Sequence, residues 1–336
     1  MTVLEVIQRS TEFLAKKGVE SARLQTELLL ADVLKLPRMQ LYLNFERSLT
    51  TPEVETFREL IRRRGQREPL QHILGSTSFC GLEMTVSRHA LIPRPETELL
   101  AEHGWTFLNQ LPSPADTAIE IGLREDTLKG GHQTNPGVRC PPFRVSGPDS
   151  MAITPSPLAP TALDFGTGSG CLAIPLASKS ASARVQAVDV SPEALALARQ
   201  NAARHGLAGR IEFHKGDGFA ALQPGARFDL IISNPPYIPS AEIETLQREV
   251  RDHDPRPALD GGPDGMDYFR RLAAEAAAFL RPGGKLMLEF GDGQAGDVGR
   301  IFQQEMWIVE ATRFDYSQRP RILIARRADS NTNEST

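Results

Sequence analysis

Apolar residues near the start of the chain recur at helical spacing: Val3, Ile7 and Leu14, then Leu24, Leu28 and Ala31, then Val54, Phe57, Leu60 and Ile61. Polar or proline-marked joins, Leu36-Pro37-Arg38 and Ser48-Leu49-Thr50-Thr51-Pro52, separate these stretches, with Ser48 or Thr51 placed to cap the helix that follows. The pattern predicts a small helical bundle over residues 1–70. Residues 71–100 read as a β-hairpin leading into a turn at Pro93-Arg94-Pro95.

Beyond residue 160 the period changes. Short apolar runs at Ala162–Phe165, Arg184–Asp189, Ile211–Phe213 and Phe228–Ser233 read as buried strands, alternating with helices that begin near Cys171 and at Ser191-Pro192-Glu193. Ser191 is a natural N-cap and Pro192 suits the first helical position. A helix from Arg300 and strands at Trp307–Glu310 and Arg321–Ala325 close the pattern. Strands alternating with helices predict an α/β fold with a Rossmann-like sheet beside the helical bundle. Pro175 is expected to kink its helix or confine it to a first turn.

Residues 112–160 break this order. They are crowded with Pro, Gly and Ser and cannot bury enough apolar surface to fold alone. They read as an irregular surface insertion with one candidate strand, Ala118–Gly122, within a domain spanning 101–328. The polar stretch 329–336 is expected to be a disordered tail.

With 336 residues the chain has room for two domains, and its net charge of −4 argues against indiscriminate phosphate binding, which rests on Lys and Arg. No stable nucleic-acid binding is expected. Cys80, Cys140 and Cys171 are far apart and form no metal-ligand or disulfide pattern, so no metal is expected and the compartment should be reducing. Glu5 and Arg9 interrupt what would have to be the apolar core of a signal peptide, and no run approaches the roughly 20 apolar residues of a membrane span. A cytoplasmic protein is expected.

The candidate chemistry lies at strand ends. Gly166-Thr167-Gly168-Ser169-Gly170 follows the first strand of the α/β region as a tight turn into a helix, where backbone can approach a ligand closely. Its spacing departs from the G-x-G-x-x-G dinucleotide fingerprint, because Cys171 takes the place of the third glycine. Asp189 ends the next strand about twenty residues later, where an acid binds ribose hydroxyls. A carboxylate disfavours a 2′-phosphate, and no G-x-x-x-x-G-K-[ST] loop is present to cradle a triphosphate. The ligand expected is a nucleoside without a phosphate chain. Gly216-Asp217-Gly218-Phe219 follows the third strand, where Asp217 can accept from an exocyclic amine and Phe219 can pack on a base; a polar turn with a core Phe is the other reading.

Asn234-Pro235-Pro236-Tyr237 ends the fourth strand. Two prolines cannot donate to a sheet ladder, so the strand stops and presents its last side chain and carbonyls at its carboxyl end. The Asn234 oxygen and a proline-flanked carbonyl are two acceptors that suit a planar NH2 group, on an adenine, a cytosine or a carboxamide. A rigid turn with Tyr237 merely packed is the alternative.

This order of motifs resembles the S-adenosyl-L-methionine-dependent class I methyltransferases that modify planar nitrogens. Glu68-Pro69-Leu70-Gln71-His72-Ile73-Leu74-Gly75, Phe79-Cys80-Gly81-Leu82, Leu91-Ile92-Pro93-Arg94-Pro95-Glu96-Thr97-Glu98 and Pro257–Asp267 are similar to motifs of the bacterial glutamine N5-methyltransferases of peptide-chain release factors, the PrmC/HemK family. The resemblance covers most of residues 1–110 and 160–326. It implies a class I methyltransferase sheet, a helical domain that holds a release factor, and a linker that sets Arg94, Thr97 and Glu98 near the methyl donor.

It further implies S-adenosyl-L-methionine held by Gly166, Thr167, Gly168, Ser169, Gly170, Asp189, Asp217, Gly218, Phe219 and Asn234. The glutamine of a Gly-Gly-Gln motif would be held by Asn234, Pro235, Pro236 and Tyr237, with Asn234, Pro235 and Tyr237 carrying the reaction. Transfer to a ribosomal-protein glutamine is the nearest alternative. Adenine-N6 methylation of nucleic acid is the more distant one, since nothing after Gly291 supplies a target-recognition domain for a flipped base. Arg58, Arg62, Arg63, Arg64 and Arg67 form a basic stretch that suits an acidic partner, ribosomal RNA or a solvated face.

Overall fold

The computed structural model describes residues 1–112 and 159–328. Nearly all of the expected insertion at 112–160, its candidate strand at 118–122, Cys140, and the expected tail at 329–336 lie outside the described residues.

Helices Val3–Lys16, Ala22–Leu34 and Thr51–Gly65 bury Val3, Ile7, Leu14, Leu29, Leu30, Phe57 and Ile61 against one another. The first and third begin in reciprocal capping boxes, Thr2 with Glu5 and Thr50 with Glu53. The cap is therefore Thr50, the residue before the expected Thr51. On the middle helix the buried face carries Ala22, Thr26, Leu29 and Leu30, whereas Leu24 is 43% exposed. Leu28-Leu29-Leu30 is apolar on several sides of the helix, so spacing could not choose the face; packing against the flanking helices did.

A short helix, Leu70–Leu74, leads into a hairpin of β1 (Ser76–Phe79) and β2 (Leu82–Thr85). Cys80 and Gly81 both have positive φ, which gives the two-residue turn the right-handed twist of its strands. The helix Pro95–Gln110 then lies against the main sheet.

Seven strands form that sheet: β3 (Thr161–Phe165), β4 (Arg184–Asp189), β5 (Ile211–Lys215), β6 (Phe228–Ser233), β7 (Leu280–Glu289), β8 (Trp307–Phe314) and β9 (Pro320–Arg327). Their order is β5-β4-β3-β6-β7-β9-β8, with β9 antiparallel to both β7 and β8 and the other pairs parallel. Both faces are covered, so alternate residues feed separate cores. Ala162, Leu230 and Ile232 join one, and Leu163, Ile231 and Leu288 the other. The chain winds outward from β3 to β5 and then crosses back to β6. The carboxyl ends of β3 and β6 thus meet at a topological switch point, the place where open α/β sheets bind ligands.

The helix after the glycine turn, Ala173–Lys179, starts two residues later than expected and carries Pro175 in its first turn, where an N–H has no helical partner. Among the described residues no helix is long and apolar enough to cross a membrane.

Candidate active site

The strand ends open onto a cavity of about 350 Å³. Its wall includes Gly166, Thr167, Gly168 and Ser169 after β3, Asp189 at the end of β4, Gly216 and Gly218 after β5, and Asn234 and Pro235 after β6. Gly166 has φ +77°, and a Cβ built there would meet nothing within 4 Å. The turn therefore leaves room along the cavity wall for a ligand to approach backbone.

Asp189 is tied into this wall. Its Oδ2 accepts from Gly168 N at 2.8 Å and its Oδ1 from Ser191 N at 2.9 Å, which holds the carboxylate between the glycine turn and the next helix. Behind the turn, buried Asp164 accepts from the Thr167 hydroxyl at 2.6 Å and from Ala173 N at 3.0 Å. Burial pushes the Asp164 carboxyl up to about 7, although both hydrogen bonds favour its charged form.

Two of the residues expected to hold the cofactor, Gly170 and Phe219, lie away from the cavity. Gly170 does not line the cavity: a Cβ there would meet Ile174 at 2.8 Å and Ala198 at 3.3 Å, so the glycine serves close packing of two helices. Phe219 does not face it either. It is buried, stacked on Phe279 with ring centroids 4.6 Å apart and tilted against Phe165 at 4.9 Å, because the 3-10 turn Gly218–Ala221 directs the ring into the core. Asp217 borders the cavity, but its carboxylate is paired with Arg271 and mostly solvent-exposed. Tyr268 and Val190, not singled out from the sequence, supply apolar wall in their place. Tyr268 follows the glycine-rich Pro257–Asp267 motif directly, and that position was the available signal.

A second cavity of about 280 Å³ lies on the other side of Asn234 and is lined by Tyr237, Ile238, Leu246, Glu96, Glu289 and Arg321 among others. Asn234 and Arg94 line both. The Asn234 side-chain nitrogen donates to Thr97 Oγ1 at 3.0 Å. Tyr237 is largely buried, and burial pushes its hydroxyl up to about 12, so it is neutral across the physiological range. It sits in the second cavity, not the first.

The Asn-Pro-Pro-Tyr loop is buttressed on both sides. Ser233 Oγ donates to Phe165 O at 2.6 Å and ties β6 to β3. Ile238 N donates to Leu259 O at 3.0 Å, Gly261 N to Ile238 O at 2.9 Å and Gln294 Nε2 to Tyr237 O at 2.8 Å. A Cβ on Gly261 would stand 2.8 Å from the Tyr237 backbone, which explains a glycine at that point of the Pro257–Asp267 loop.

The linker residues divide. Thr97 and Arg94 reach the cavities, and Arg94 pairs at 2.6 Å with buried Asp254, whose carboxyl burial raises to about 6. Glu98 lies elsewhere: its carboxylate accepts from Cys80 N at 2.7 Å and holds the hairpin turn. Part of the basic stretch is also drawn inward, while Arg58 and Arg62 stay exposed. Arg62 pairs with Glu59 and Arg63 with Glu68, while Arg64 and Arg67 both reach Glu249.

Glu289 was missed. It ends β7 as a lone acid after Leu286-Met287-Leu288, the same signal that singled out Asp189 on β4. It is 2% exposed, and burial pushes its carboxyl up to about 7, opposed by the Thr97 side chain, by Arg321 and by Asn234.

Residues 5–75 match the PrmC N-terminal domain family, and residues 151–250 match the methyltransferase small domain family. A release factor glutamine methyltransferase of Geobacter sulfurreducens is 41% identical over 90% of this chain and 89% of its own length. One from Chlorobaculum tepidum is 39% identical over 95% of each chain. A third, from Koribacter versatilis, is 35% identical over 98% of this chain and all of its own.

Proposed function

Since the chain belongs to the release factor glutamine methyltransferases, it methylates a release-factor glutamine, and we propose that the acceptor is the side-chain amide nitrogen of a Gly-Gly-Gln motif and the donor S-adenosyl-L-methionine. The observation that carries this reading is the placement of Asn234 between two cavities, one walled by the glycine turn and Asp189, the other by Tyr237 and Glu289.

The larger cavity fits a nucleoside. It combines an open backbone wall at Gly166, a carboxylate at Asp189 and apolar surface from Val190 and Tyr268. Gly166, Gly168, Asp189, Gly218 and Asn234 would hold the donor, which supplies a methyl group activated on a sulfonium.

A carboxamide nitrogen is a poor nucleophile because its lone pair is delocalised into the carbonyl. Positioning must therefore do most of the work. The Asn234 Oδ1 and the Pro235 carbonyl accept the two N–H hydrogens of the glutamine and fix its nitrogen toward the larger cavity. They also stabilise positive charge as it develops on that nitrogen. Tyr237 forms the wall of the smaller cavity against which the amide plane packs. Tyr237, with its hydroxyl raised to about 12, is not a general base. The proton leaves to water after transfer. Arg64 and Arg67 are drawn into pairs with Glu249, while Arg58 and Arg62 stay exposed, so only part of the basic stretch is withdrawn from solvent.

The test is transfer of labelled methyl from S-adenosyl-L-methionine to a purified bacterial release factor, read by peptide mass spectrometry, with the Gly-Gly-Gln glutamine intact or replaced. Label on that glutamine alone supports the proposal. Label on duplex DNA, on a ribosomal protein or on another release-factor residue overturns it.

A further inference from the structure

We propose that Thr97 and Glu289 are positioning residues that decide which end of the Asn234 amide faces the acceptor. The proposal rests on the reading of Asn234 as the residue that holds the substrate amide. An Asn amide is nearly symmetric in shape, so packing cannot tell its oxygen from its nitrogen; only its hydrogen-bond partners can. Turned one way, Asn234 offers an acceptor to the glutamine NH2. Turned the other, it offers a second NH2 and repels it.

Its hydrogen-bond partners choose between these. Asn234 Nδ2 donates to Thr97 Oγ1 at 3.0 Å, and Thr97 is 1% exposed on the first turn of the helix Pro95–Gln110. Glu289, from the end of β7, is buried and lines the smaller cavity together with Asn234, and the Thr97 and Asn234 side chains both favour its ionised form. An ionised carboxylate only accepts. A Thr97 hydroxyl that turns its proton toward Glu289 leaves its lone pair for the Asn234 N–H. Turning the amide over would set Oδ1 against that lone pair and beside a buried anion, so Oδ1 stays directed at the acceptor.

Among the described residues no cation forms an ion pair with Glu289. Its Oε2 has no hydrogen-bond partner among the described residues. Arg321 on β9 acts on it from a distance and pairs at 3.1 Å with Asp315 instead. The other titratable groups around it are Glu96 on the helix Pro95–Gln110, Tyr237 in the Asn-Pro-Pro-Tyr loop and Cys171 after the glycine turn. Burial raises its carboxyl to about 7. Once protonated it can donate to Thr97, and the direction of both hydrogen bonds is released. Turnover should then fall as pH drops through about 7.

The experiment compares Thr97→Val, Thr97→Ser, Glu289→Gln and Asn234→Ala for kcat, cofactor affinity and the pH dependence of the Asn234 side-chain NH2 signal in 15N-labelled protein, assigned by its loss in Asn234→Ala. Thr97→Val keeps the shape but removes the acceptor, and should lower kcat about tenfold with cofactor Kd changed by less than about twofold. Thr97→Ser should recover most of that loss. The Asn234 NH2 signal should titrate near pH 7 in the native protein and not in Glu289→Gln, whose rate should also lose its acid limb.

Native kcat in Thr97→Val, or a signal that titrates unchanged in Glu289→Gln, overturns the proposal. If Glu289→Gln fails to fold, the Thr97 pair and the native titration decide it alone. Full turnover in Asn234→Ala would instead overturn the underlying reading of Asn234, which separates the two failures.

Discussion

The Arg64 guanidinium meets the Glu249 carboxylate at 2.8 Å across 185 residues of chain, and the Arg64 side chain is only 4% exposed. Arg67 reaches the other oxygen of the same carboxylate at 2.6 Å. One acid from the segment after the Asn-Pro-Pro-Tyr loop thus anchors two arginines at the end of the helical bundle. Desolvation by burial is the largest influence on Glu249, but the two arginines outweigh it and hold the carboxyl below its ordinary value.

Glu249→Ala should therefore destabilise the protein by about 3 kcal/mol, because it strands a buried guanidinium without a counter-charge. Thermal or denaturant unfolding measures this. Hydrogen exchange should quicken around residues 60–70 while cofactor affinity stays near native. An unchanged midpoint would mean that the pair contributes nothing net.

Asp189→Asn keeps the size of the side chain but weakens two acceptors to one. Cofactor Kd, measured by calorimetry, should rise about 10- to 100-fold, the loss of a charge-assisted hydrogen bond of about 1.5–3 kcal/mol. At saturating cofactor, kcat should stay close to native. A fall in kcat without a change in Kd would place Asp189 in the chemistry and not in binding.

Phe219 and Tyr268 should separate cleanly. Phe219→Leu removes two ring contacts from the core and should cost about 1–2 kcal/mol of stability with little change in cofactor affinity. Tyr268→Ala removes cavity wall and should do the reverse. Weakened cofactor binding in Phe219→Leu at native stability would restore the ring to the ligand.

Asp164 gives a pH dependence of stability. Its carboxyl is raised in the folded state from 3.8 to about 7, so the fold binds a proton that the unfolded chain releases. The stability it contributes is full below about pH 4 and is lost as pH rises through 7. Asp164→Asn cannot ionise, so its stability relative to native should improve between pH 5 and pH 8, by at most on the order of 3 kcal/mol. Denaturant midpoints at the two pH values measure it. Parallel pH curves for the two proteins would show Asp164 ionised throughout.

The strands that carry the site were legible because each is a short apolar run stopped by a residue with a backbone reason to stop it. Phe228–Ser233 ends at two prolines, and Arg184–Asp189 ends before the N-cap Ser191. The face of the helix Ala22–Leu34 was not legible, since three consecutive leucines leave its apolar side undefined. Phe219 was misplaced for a related reason: sequence names the ring but not the direction in which a 3-10 turn points it.

The sequence by itself determined the alternation of strands and helices, the glycine turn with its acid on the next strand, and the strand end at Asn234-Pro235. These are local, fixed by the dihedral limits of glycine and proline and by the period of apolar residues. Only the tertiary structure decided that Glu249 answers Arg64, that Thr97 meets the Asn234 amide, and that Arg64 and Arg67 of the basic stretch are turned inward. Those relationships join residues far apart in the chain through burial, and burial is set by how the bundle, linker and sheet pack together, which no window of sequence contains.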